Sequence, residues 1–132
     1  MQDNLSHARG WFLKADSDLA AAHRIVDGDG PYDTACFHAQ QAAERILKGV
    51  LAFGGRPIPL VHDLDELHDL CLAAELAPAI ARLDLTALTP YAVRLRYELA
   101  FWPDREIAQE AIALAEDLRA AVLAAVPEEA RP

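Results

Sequence analysis

At 132 residues the chain suits a single domain, long enough to bury one core without disulfides or metals. Its residues are 53% hydrophobic but only 7% aromatic, so the core is built mostly of Ala, Leu, Ile and Val. Helical periodicity runs nearly throughout, which points to an all-α bundle. A net charge of −9 disfavours non-specific binding to nucleic acid, which depends on neutralising phosphates, though a small cluster of Arg and Lys stays compatible with it.

A first helix should begin at Asp3 or Asn4, either able to cap it, and run to about Val26. Leu5, Ala8, Phe12, Ala15, Leu19, Ala22 and Val26 form its apolar face, in which Gly10 is a mild fault. Asp27-Gly28-Asp29-Gly30-Pro31 breaks the helix, and Pro31 fits the first turn of the next. The second helix, Tyr32 to Phe53, is the stretch around which the chain is organised. Tyr32, Cys36, Ala39, Ala43, Ile46, Leu47 and Val50 fall on one side as a core stripe. Beside it runs a second row, Phe37, Gln41, Glu44 and Lys48, spaced so that successive side chains meet. A helix needs the first row to fold; it does not need an amide, an acid and a base aligned next to it.

Gly54-Gly55 ends the second helix with backbones able to take a left-handed cap. The loop RPIPLVH follows, kept extended by Pro57 and Pro59. Asp63 caps a third helix, with Glu66 completing a capping-box pattern, and Pro78 marks its end. Ala79 to Leu83 suits a short helical piece. The segment from Leu83 to Arg105 mixes β-branched and aromatic residues between Pro90 and Pro103, so a short helix or an extended strip across the bundle both fit. Asp104 caps the last helix, Arg105 to about Val126, with Ile107, Ala111, Leu114, Leu118, Val122 and Ala125 inward. The expectation is one domain over residues 1–126 and a frayed tail over 127–132.

Several groups carry candidate chemistry. Gln41, Glu44 and Lys48 can read a base edge or ribose with Lys48 on a phosphate; alternatively Glu44 and Lys48 are an ordinary i, i+4 pair. Arg94, Arg96 and Tyr97 place two guanidinium forks beside a ring, a combination suited to phosphate and base, or to pairing with the excess of carboxylates. His62, just before a helix, can act as a general base or phosphate contact, or hydrogen-bond within its loop. His62, His68 and Cys71 lack a fourth ligand at a recognised spacing, so no metal and no cofactor are expected. Cys36 and Cys71 read as buried free thiols. Trp11, off the core stripe, and Phe101-Trp102, in a loop, argue for a homodimer. No signal peptide and no membrane span are seen, so a cytoplasmic location is expected.

Three motifs taken together, FHAQQAAERILKGVL, PLVHDLDEL and LTPYAVRLRYE, followed by a long closing helix, resemble the HEPN domain family (higher eukaryotes and prokaryotes nucleotide-binding) over nearly the whole chain. The resemblance implies an up-and-down bundle of four to five helices that commonly dimerises. It also implies frequent pairing with a small nucleotidyltransferase encoded nearby, as a toxin–antitoxin couple. Many members of the wider family are metal-independent ribonucleases with an R-x4-6-H motif near the start of the last long helix. Here no His follows His68, and the likeness is to the branch with an Arg-Tyr-Pro signature, seen as Arg96-Tyr97-Glu98. Arg56 to His62 has the R-x4-6-H spacing but lies in a loop with two prolines. The reading is therefore a non-catalytic nucleotide- or RNA-binding module that uses Gln41, Glu44, Lys48, His62, Arg96 and Tyr97 beside a nucleotidyltransferase partner. The alternative is a divergent ribonuclease with Arg56 and His62 as its catalytic pair.

Overall fold

The computed structural model describes residues 3–132, except for the side chain of Arg96. Helix α1 spans Asn4–Asp27 and starts where the Asp3 carboxylate accepts the Ser6 N–H at 2.7 Å, satisfying a donor that the first turn leaves open. Helix α2 spans Tyr32–Phe53, the bounds expected from its glycine and proline punctuation. The turn after it is made by Gly55 at φ 65, a conformation that side chains disfavour.

The α1–α2 pair runs antiparallel: Trp11 meets Lys48 near one end, and Asp18 meets His38 and Arg45 further along. The helices come close because α2 has no side chain at Gly49. A Cβ there would stand 2.8 Å from Phe12 Cδ1, well inside contact distance. Between them they bury most of the core stripe, including Ile46, Leu47 and Val50.

Asp63 accepts the Asp65 and Glu66 N–H groups and opens α3, Leu64–Ala73. This helix stops earlier than Pro78. Glu75 adopts a left-handed conformation (φ 56), and the turned chain brings Leu76 against Gly54 and Ala77 into the core. The short helical piece is a 3-10 turn over Pro78–Arg82, followed by another over Leu85–Ala87. Beyond Pro90 the undecided segment resolves into a short helix, α4, Tyr91–Tyr97.

Helix α5, Arg105–Ala125, is capped by Asp104, which accepts the Ile107 N–H at 2.9 Å. Arg105 is tied to the α1–α2 turn through the Gly28 carbonyl at 2.6 Å. The helix then runs antiparallel to α1, with His23 on Glu116 and Asp16 on Arg119. Its buried stripe is shifted from the expected one. Ala108, Ile112, Ala115 and Ala121 are covered, Ile107 and Leu114 are half-buried, and Ala125 is exposed. Small alanines let α5 lie close to its neighbours, so the covered face is wider than one row of large residues.

The tail expected to fray is instead folded back. Pro127 turns the chain into a 3-10 turn, Glu128–Ala130, Ala130 is buried, and Arg131 donates twice to the Val126 carbonyl. The described residues thus form an all-α bundle of five helices. Among them, no helix is long and apolar enough to cross a membrane.

Candidate functional site

The second row of α2 does not face open solvent. The loop from Gly54 to Asp63 folds back along the helix and sets His62 over Glu44, eighteen residues away in sequence. The Glu44 carboxylate becomes a hub. His62 Nδ1 lies 3.0 Å from Oε1, Lys48 Nζ lies 3.2 Å from Oε2, and the Gln40 amide lies 3.5 Å from Oε1. Gln40 also donates to the His62 carbonyl at 3.4 Å, holding the loop to the helix. Glu44, Lys48 and Gln40 are all buried, whereas the His62 ring remains 70% exposed. A carboxylate only accepts hydrogen bonds, so His62 Nδ1 is the donor. The imidazole is therefore oriented from beneath, with its far edge open.

His62 and Glu44 both line a cleft of about 220 Å³, together with Phe37, Gln40, Gln41 and, from α4, Ala92, Val93 and Tyr97. Two aromatic rings, two amides, a carboxylate and an imidazole converge there. Amides and carboxylates match the donor and acceptor edges of a nucleobase, and rings offer stacking faces.

Of the residues singled out from the sequence, Gln41, Glu44, His62 and Tyr97 are brought to this one cleft. Lys48 is not among its lining. Its ammonium is turned to Glu44 and lies 5.8 Å from the centre of the Trp11 ring, so a phosphate on Lys48 in this cleft does not fit. Arg96 sits on α4, but its side chain lies outside the described residues. Arg56 lines a separate, largely apolar cleft with Pro57, Ile58, Pro59 and Leu70, so one chain does not pair it with His62 in a single pocket. Arg94 bonds Glu98 at 2.8 Å and covers the Phe101 ring, its guanidinium carbon 3.7 Å from the ring centre. His68 bonds the Ile80 carbonyl and Cys71 the Leu47 carbonyl, so both potential ligands are engaged in holding the fold. Among the described residues no group of three or more His, Cys, Asp or Glu is placed to hold a metal ion.

Sequence reasoning missed two features. Gln40 closes the loop over Glu44, and its only signal was its position one turn before that acid. Asp18 lies on the buried face of α1, 5% exposed, where it accepts from Arg45 Nη1 at 2.7 Å and pairs with His38 Nδ1 at 3.0 Å. An acid set between Ala15 and Ala22 in an apolar stripe was the available clue.

Burial pushes the Cys36 thiol up to about 11, with Asp33 and Asp104 adding to the effect, and pushes Cys71 up to about 12. Neither is a thiolate near neutral pH.

Comparison with curated proteins and with solved structures gives no match. The family model for the HEPN domain, a family tied to nucleotides and RNA, matches residues 8–125. All five helices fall within or overlap that span, together with the cleft over Glu44. The chain belongs to the HEPN domain family.

Proposed function

We propose that the chain is a non-catalytic binding module that takes the base of a nucleotide or of an RNA end into the cleft over Glu44. The observation that carries this reading is the buried Glu44 carboxylate beneath an exposed cleft, with Gln41 at its edge and the Phe37 and Tyr97 rings on its walls. Gln41 pairs with a base edge, and Tyr97, 74% exposed, stacks on its face. Working with a nucleotidyltransferase in a toxin–antitoxin couple, or with a second copy as a homodimer, belongs to the same proposal. The exposed Tyr97, Leu99 and Trp102 support a protein surface next to the cleft. The setting proposed for this work is the cytoplasm.

Calorimetry with adenosine monophosphate tests the binding. Tyr97→Ala should weaken it by about tenfold, the size of one lost stacking contact, and Gln41→Ala by a smaller factor. Failure of the wild-type protein to bind any of the four ribonucleoside monophosphates overturns the reading. Lys48→Ala is a poor probe, because it strips the buried Glu44 of its cation.

A second reading, a divergent ribonuclease, is favoured by one contact. His62 Nδ1 is held by Glu44, which leaves the opposite ring nitrogen to take a proton from a ribose hydroxyl. Cleavage of single-stranded RNA by the wild type, lost in His62→Ala, would move the assignment to the enzyme. Equal background in both proteins removes it.

A further inference from the structure

The described residues that line the cleft over Glu44 suit a base and include no Lys or Arg. A neighbouring groove is basic. It has a volume of about 380 Å³ and is lined by His7, Gly10, Trp11, Lys14 and Arg45. No carboxylate lines it, although the chain as a whole carries a net charge of −9.

We propose that this groove is a second subsite, for the phosphates and next base of a single-stranded RNA whose first base occupies the Glu44 cleft. The proposal rests on the base-binding reading of that cleft.

Three observations support the groove independently of the first cleft. Arg45 is fixed in place, since Asp18 accepts from its Nη1 at 2.7 Å, and the rest of its fork remains for an anion. Lys14 is exposed and makes no ion pair among the described residues. Trp11 Nε1 donates to His7 Nε2 at 3.3 Å, and its ring lines the groove as a face on which a base can stack.

Gly10 adds a further point. A glycine inside a helix weakens it, and close packing is the usual reason for one. At Gly10 a Cβ would meet nothing within 4 Å, so packing does not call for it. What the missing side chain does is leave bare backbone on the floor of the groove.

The two sites have no lining residue in common, and the Glu44–Lys48 pair stands between them. Lys48 bonds Glu44, which lines the first cleft, and lies 5.8 Å from the centre of the Trp11 ring, which lines the second. A strand leaving the base cleft over this pair enters the basic groove. Site length then selects an oligonucleotide over a mononucleotide.

The test compares the affinity of the full chain for adenosine monophosphate with that for a six-residue oligoadenylate. The Trp102→Phe background leaves Trp11 as the one indole reporter. The oligonucleotide should bind at least tenfold more tightly and quench Trp11. Gly10→Glu and, separately, Lys14→Glu should bring the affinity ratio close to one. Lys14→Ala should lower the slope of log affinity against log salt by about 0.7, the value for one phosphate contact on a single strand. A ratio near one in the wild type, or an unchanged ratio in both Glu variants, overturns the proposal. If Tyr97→Ala leaves affinity for the monophosphate untouched while the Lys14 variants lose the oligonucleotide, the first cleft has been misread and the groove stands. If no nucleotide of either length binds, both readings fall.

Discussion

Glu44 and Lys48, one helical turn apart on α2, place Oε2 and Nζ 3.2 Å from each other with only 9% and 8% of their side chains open to solvent. A surface pair of this spacing contributes a few tenths of a kcal/mol. A buried pair behaves differently, because removing one partner strands a charge that has already lost its water. Glu44→Ala should therefore lower unfolding free energy by about 3 kcal/mol or more in urea titration. The double variant Glu44→Leu, Lys48→Met should recover most of that loss. A single-variant loss below about 1 kcal/mol would mark the pair as solvated in practice.

Two helix glycines should respond in opposite directions to the same change. Gly49→Ala drives a methyl group into the Phe12 ring and should destabilise the protein by about 1–3 kcal/mol, despite the better helix propensity of alanine. Gly10→Ala meets open space and should stabilise it by about 0.5–1 kcal/mol. Thermal melts of both variants give the signs directly.

Asp18 ties α1 to α2 through Arg45 and His38 from a buried position. Both partners are over a quarter exposed, so water can take over part of their hydrogen bonding. Asp18→Ala should cost about 1–3 kcal/mol, and Asp18→Asn less, since the amide oxygen can still accept from Arg45. Equal stability of the three proteins would show that the contact does not hold the helices together.

The thiols set a pH dependence on the alkaline side. In the unfolded chain Cys36 and Cys71 ionise near 9, but in the folded chain only near 11 and 12. Folding thus favours the protonated thiols. Their contribution is complete below pH 9 and is lost as pH rises toward the folded values. Stability should fall between pH 9 and 11, and by less in the Cys36→Ala, Cys71→Ala variant at the same pH. Thiol reagents at pH 8 should label both residues only as the chain unfolds.

The bounds of α2 were legible because its end signals are local. A run of good helix formers lies between Pro31 and Gly54, and nothing distant has to agree with it. The end of α3 was not, since Glu75 turns left-handed to put Leu76 against Gly54 and Ala77 in the core, a choice made by packing. The same holds for the tail, which looked frayed until Ala130 found a buried place. Gln41, Glu44, His62 and Tyr97, singled out by side-chain chemistry and spacing, line one cleft. That Lys48 turns away toward Trp11, and that Arg56 opens onto another cleft, depended on neighbours far away in the chain.

By itself, the amino-acid order determined most helix starts and caps and the core rows of α1 and α2, because periodicity and capping act within a few residues of one another, and its motifs carried the family resemblance. Only the tertiary structure decided what the polar row does. Whether a carboxylate on a helix is solvated or becomes the buried centre of a site depends on which loop folds over it, and the loop that covers Glu44 arrives eighteen residues later at His62.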